Sequence, residues 1–209
     1  MNENSYYLTP SGKKILDDAY ELFLNNIYTT LDSGEKTFKD ITINGKRVFI
    51  DMNKEIEGKS LTFWHLASQG TSETKYDMFP CENHLAKTEC TTKCDYLSQN
   101  NFLSDYNRIP CIYRAEKISY LFKTINVYNQ NNKDSRIKYW TIKEDDCKHL
   151  KIRYTDKFID YIVILKIQYT QGKTDISQYR LITAYPIVLK SYVRRFNREY
   201  NDYLQHKRK

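Results

Sequence analysis

The order of periodicities along this chain predicts an α+β fold: helical spacing first, then closely spaced strand-like runs, then helical spacing again. Residues 11–31 carry Ile15, Ala19, Leu22, Phe23 and Ile27 on one helical face. Four apolar, β-rich runs at 137–142, 149–154, 159–169 and 179–185 are joined by connections too short for parallel crossovers, which predicts an antiparallel four-stranded sheet. Residues 188–205 then present Val188, Tyr192, Val193, Phe196 and Tyr200 as the apolar stripe of a C-terminal helix.

Each element has a local reason. Ser11 suits the N-cap of the first helix and Gly34 its stop. Asn44-Gly45 separates Ile41-Thr42-Ile43 from Val48-Phe49-Ile50, the sequence signature of a tight hairpin. Leu61 to Leu66 is a short apolar segment carrying His65. Residues 69–110 are polar and irregular and hold Cys81, Cys90 and Cys94, as expected of an inserted loop that needs its own organising device. Residues 111–128 predict a central helix with Ile112, Ala115, Ile118, Phe122 and Ile125 along one face, and Asn129 to Asp134 a polar linker. The run Ile159 to Tyr169 is mostly β-branched and aromatic, which suits a central strand. A length of 209 residues suits one buried core. The expected organisation is a single domain, with a helix and hairpin over 1–60 and a core over 61–209.

Net charge is +7 and the isoelectric point about 9.0, which favours an anionic partner. The positive charge gathers late, at Lys190, Arg194, Arg195, Arg198, His206, Lys207, Arg208 and Lys209. These residues form either a solvated helix face with a frayed tail or a binding surface. Nineteen tyrosines against six glycines can fill a core with rings or stack on bases. The polar start, Met1-Asn2-Glu3-Asn4-Ser5, predicts no export signal, and no apolar run reaches the roughly 18 residues of a membrane span. Five cysteines in such a chain read as reduced thiols or metal ligands. The expected setting is cytoplasmic, away from membranes.

Several residues suit phosphodiester chemistry. RNA can be cleaved through its own 2′-hydroxyl, given a base for that hydroxyl, an acid for the leaving oxygen and cations for the charged phosphorane. His65 is the candidate acid or base. Arg114 and Lys117, three residues apart, would share one helix face as phosphate contacts. Thr183 and Tyr185 alternate onto one side of their strand before Pro186 stops it. Ser68, Arg180, Lys190 and Arg194 are candidate substrate contacts. Each has a plainer alternative: His65 beside Trp64 as a packed side chain, Arg114 and Lys117 around Glu116 as a surface helix, Thr183 and Pro186 as a strand end.

The chain resembles the barnase–EndoU–colicin–RelE class of ribonuclease folds, especially its phage- and plasmid-borne branch. The resembling segments are Phe63-Trp64-His65-Leu66-Ala67-Ser68, Ile109-Pro110-Cys111-Ile112-Tyr113-Arg114-Ala115-Glu116-Lys117-Ile118, Leu150-Lys151-Ile152-Arg153-Tyr154, Tyr161-Ile162-Val163-Ile164-Leu165 and Tyr179-Arg180-Leu181-Ile182-Thr183-Ala184-Tyr185-Pro186. They recur in order over residues 38–200, and each is short and degenerate. The resemblance implies metal-independent endoribonuclease activity, as in a toxin or phage-defence effector, with His65 as general acid or base. It implies Arg114 and Lys117 on phosphate, and Thr183 and Tyr185 completing the site. Lys117 departs from the arginine expected there and Tyr120 from the tryptophan of some relatives. The implied partners are RNA, tRNA among the candidates, and an antitoxin or inhibitor protein, with no cofactor for catalysis.

Cys81, His84, Cys90 and Cys94 lie within 14 residues, enough donors for a structural zinc ion that would organise the loop. The alternative is a set of unrelated thiols, and Cys111 can substitute for one ligand. Two further readings of the whole chain stay open: a nucleic-acid-binding module without catalysis, and a zinc-organised interaction protein.

Overall fold

A computed structural model describes residues 10–70, 108–144, 146–172 and 174–207. It has the α+β class and divides into two compact units. One is built from the described residues within Met1–Leu24 and Met52–Ser119, the other from those within Asn25–Asp51 and Tyr120–Lys209.

In the first unit, helix α1 (Pro10–Ile27) starts one residue before the predicted cap and buries Leu16, Ala19 and Phe23. Strands β5 (Glu55–Ile56) and β6 (Lys59–Ser60) form a tight hairpin whose turn, Glu57-Gly58, has φ of 49° and 69°. The short apolar segment carrying His65 is a helix, α2 (Leu61–Leu66). Its start is set by Ser60, whose hydroxyl accepts from the Phe63 amide at 3.1 Å. Phe63 is buried beneath the rings of Tyr20 and Phe23, at centroid distances of 4.9 and 5.9 Å. The Trp64 indole donates to the Ile56 carbonyl at 2.8 Å. Strands β7 (Ser68–Gly70) and β8 (Arg108–Pro110) pair antiparallel, so the long insertion is clasped at its base. The predicted central helix is two helices: α3 (Ile112–Glu116), in this unit, and α4 (Ser119–Gln130), which from Tyr120 onward belongs to the second unit. The break falls at Lys117-Ile118, where the Ile118 amide turns back onto the Ala115 carbonyl at 3.1 Å. All five residues of the predicted apolar face are nevertheless buried.

In the second unit, the chain after α1 does not continue as helix to residue 31. It forms β1 (Tyr28–Thr30), which pairs with β2 (Lys36–Phe38), and Gly34 at φ 83° serves the turn between them. Strands β3 (Thr42–Ile43) and β4 (Lys46–Phe49) flank Asn44-Gly45, both at positive φ as a tight hairpin turn requires. Strands β9 (Ile137–Glu144), β10 (Cys147–Thr155), β11 (Asp160–Tyr169) and β12 (Ile176–Pro186) form the expected antiparallel meander. The sheet is larger than expected and mixed: β4 pairs parallel to β12, giving six strands in the order β3-β4-β12-β11-β10-β9. Sequence periodicity treats a hairpin and a meander as separate objects, because only a long-range pairing joins them.

Leu150, Ile152 and Tyr154 face Leu165, Val163 and Tyr161 across the β10–β11 ladder and fill one side of the sheet. There the Tyr120 ring meets Tyr154 and Tyr161 at 6.0 Å each. The alternate residues face helix α5 (Lys190–Lys207), whose Phe196 is buried with Trp140, Ile162 and Ile187. Tyr192, Val193 and Tyr200 of the predicted stripe pack partly buried against that cluster.

Candidate functional site

The candidate site in the first unit begins with the short length of α2. A helix leaves its last carbonyls without intrahelical donors, and a helix of six residues has few others. The Trp64 carbonyl accepts from the Ser68 hydroxyl, and the His65 carbonyl accepts from Arg108 Nη2 at 2.8 Å. Arg108 Nε donates to Ser68 Oγ at 2.6 Å, and its Nη2 also reaches the Ser68 carbonyl at 3.0 Å. Arg114 Nη1 donates to that same carbonyl at 2.5 Å. Ser68 is fully buried and Arg114 nearly so. Two guanidinium groups thus converge on the C-terminal end of α2, where cations complement the helix dipole.

His65 lies within this web. Burial lowers its pKa first, and the positive charges of Arg108 and Arg114 lower it further, to about 4. The imidazole is therefore neutral at physiological pH and can accept a proton.

The predicted residues fall into distinct settings. His65, Ser68 and Arg114 share one hydrogen-bonded cluster. Arg108 belongs to it too, and sequence reading missed it, because residue 108 stands alone in a polar stretch and only the β7–β8 pairing brings it to Ser68. Lys117 does not extend a common helix face with Arg114, since α3 ends at Glu116 and Lys117 caps it. Its ammonium instead sits 5.2 Å from the centre of the Tyr113 ring. Cys111 is a buried thiol outside any disulfide whose sulfur accepts from Gln69 Nε2 at 3.6 Å, and Cys147 is likewise in no disulfide. Among the described residues no group of three or more His, Cys, Asp or Glu side chains is placed to hold a metal. Cys81, His84, Cys90 and Cys94 lie outside the described residues.

Thr183 and Tyr185 belong to the second unit, on β12 opposite Ile164 and Ile162. They share a sheet face, because side chains two residues apart on a strand point the same way, and the β-bulge at Ile182 lies before both. Tyr185 packs against the Tyr192 ring of α5 at 6.2 Å. Arg180 is an exposed residue paired with Asp51 at 3.3 Å, with its guanidinium 5.7 Å from the Phe49 ring centre. Lys190 and Arg194 are exposed on α5.

That same sheet face holds a second charged cluster missed from the sequence. Lys151 is only 1% exposed, and its ammonium bridges Glu144 at 2.9 Å and Glu199 at 3.0 Å. Glu199 also accepts from the Trp140 indole at 3.1 Å and from Arg195 Nε at 2.9 Å. Arg153 binds Asp160 through Nη2 at 2.5 Å and Asn197 through Nη1 at 2.8 Å. Partial burial works against ionising Glu144, yet hydrogen bonds from Lys151 and His149 hold its carboxyl below the usual carboxylate range. Both buried cations are matched by acceptors, one from the sheet and one from α5, so the cluster ties α5 to the sheet. Alternation along β10 shows Lys151 and Arg153 on one face, but only the folded sheet supplies Glu199 and Asn197.

Comparison with protein families, with curated proteins and with solved structures found no match to this chain.

Proposed function

We propose that the chain is a metal-independent endoribonuclease that cleaves RNA by attack of the 2′-hydroxyl on the adjacent phosphate. The observation that carries this reading is the convergence of the Arg108 and Arg114 guanidinium groups on the backbone carbonyls of His65 and Ser68, beside an imidazole that burial and their charge keep neutral. A general base must be unprotonated before it acts, and a phosphorane needs positive charge near it. In this reading His65 removes the 2′-hydroxyl proton and the 2′-oxygen bonds to phosphorus. The P–O5′ bond breaks, the 5′-oxygen takes a proton from water, and the proton held on His65 returns to the hydroxide left behind. The phosphodiester offsets the positive charge of Arg108 and Arg114, so its arrival raises the basicity of His65 when a base is needed. Lys117 joins the two arginines as a phosphate contact, one that the resemblance implies. A toxin or phage-defence role, and an antitoxin or inhibitor as partner, belong to the same reading.

The products are then 2′,3′-cyclic phosphate and 5′-hydroxyl ends. The test is incubation of the protein with total cellular RNA and with tRNA, with and without EDTA, followed by analysis of the ends. Discrete cuts in EDTA with cyclic phosphate termini support the reading. Intact RNA in every lane, or 5′-phosphate ends, sinks it.

A further inference from the structure

Helix α5 carries its cations in two groups with different surroundings. Arg195 is turned toward Glu199, at 2.9 Å, and Glu144, at 3.6 Å. Lys190, Arg194 and Arg198 are all exposed, and none of them pairs with a carboxylate among the described residues. They stand at successive steps of four residues, so they follow one line along the helix, about 6 Å apart per step and about 12 Å in all. Asp202 occupies the next step and closes the stripe. The opposite side of α5 is already engaged: Phe196 is buried, Tyr192, Val193 and Tyr200 pack on the sheet, and Glu199 is bound to Lys151. The helix is therefore anchored by one face while three cations without a carboxylate partner point outward.

We infer that Lys190, Arg194 and Arg198 form a binding stripe for consecutive phosphates of a single-stranded RNA backbone. Phosphates repeat along a strand, and each bound cation releases counterions condensed on them, so a row of cations on a fixed helix matches them without reading bases. An anionic bilayer fits less well. A membrane-surface helix needs an apolar face to bury in lipid, and the apolar face of α5 is spent on the sheet. The inference rests on the ribonuclease reading only in taking RNA as the polyanion.

The test uses the full chain and a fluorescent oligo-uridylate of roughly 12 nucleotides whose 2′-oxygens are methylated, so that it binds without being cut. Wild type is compared with the triple variant K190Q/R194Q/R198Q across salt. A second triple variant, K36Q/K46Q/R47Q, removes the same charge from exposed positions on β2 and β4. Three lost phosphate contacts should flatten the slope of log affinity against log salt by about 2, and the control should leave it near wild type. A DNA oligonucleotide of the same length should depend on the stripe equally, because the stripe does not sense the 2′-position. Equal slopes for the two triple variants overturn the inference, as does recruitment to phosphatidylserine vesicles without binding of the oligonucleotide. Cleavage of ordinary RNA with an unaltered slope removes the stripe and leaves the nuclease reading standing. A stripe-dependent slope with no cleavage of any RNA does the reverse.

Discussion

Arg108 and Ser68 are joined twice, side chain to side chain at 2.6 Å and guanidinium to carbonyl at 3.0 Å. The Ser68 hydroxyl in turn donates a hydrogen bond to the Trp64 carbonyl, so guanidinium, hydroxyl and helix end form one hydrogen-bonded chain through the helix that carries His65. The arrangement fixes a positive charge at the carbonyl end of the helix that carries His65, with a serine as the brace.

Removing that charge should make His65 more basic. Arg108→Gln is expected to move the His65 titration from about 4 back toward the ordinary value of 6.5, part of the way, because burial and Arg114 remain. An NMR titration of the imidazole protons in the two proteins measures it. An unchanged midpoint would mean that the two side chains do not interact electrostatically.

His65 should also make stability depend on pH. Its folded pKa lies below its unfolded value, so between pH 6.5 and about 4 the unfolded chain binds the extra proton. The stabilisation is complete above pH 6.5 and is lost as pH falls toward 4, by at most about 3 kcal/mol. His65→Gln should flatten that part of the curve. Urea denaturation of both proteins across this range checks the difference, and parallel curves would refute it.

Lys151 should matter far more to stability than Arg180, although both are paired cations. Lys151→Ala takes the buried cation from between Glu144 and Glu199 and leaves them the half-exposed Arg195, at a cost of up to about 3–5 kcal/mol. Arg180→Ala opens an exposed pair, which is worth about 1 kcal/mol or less. Chemical denaturation of the two variants should separate them clearly, and similar losses would contradict the burial argument.

The sequence made some parts legible and hid others for physical reasons. The four strands of the meander lie close to their predicted bounds, because alternation and β-branched composition are local properties. The hairpin at Asn44-Gly45 was legible because few residue pairs tolerate two consecutive positive φ values. The parallel pairing of β4 with β12 was not, because it joins residues such as Val48 and Tyr179 that are far apart in the chain. The break between α3 and α4 was hidden too, since Ile112, Ala115, Ile118, Phe122 and Ile125 are all buried on either side of it. In the candidate site His65, Ser68 and Arg114 were visible as residue types. Arg108, Glu144 and Glu199 were not, because a partner brought in by tertiary structure leaves no local spacing to read.

The turn itself offers a further check. Gly45 sits at φ 73° with open space around the position of a side chain, so Gly45→Ala pays for conformation alone. The expected loss is about 1–2 kcal/mol, with the hairpin and the β4–β12 pairing retained by hydrogen exchange. A neutral substitution would mean that the turn tolerates an L side chain at this φ without strain.

The most direct test of the nuclease reading is the rate of RNA cleavage by His65→Ala against wild type, with circular dichroism establishing that both are folded. The proposal predicts a loss of about 10²- to 10⁴-fold, as expected for removal of a general base, with binding of an uncleavable oligonucleotide retained. Cleavage at the wild-type rate by the folded variant would contradict it.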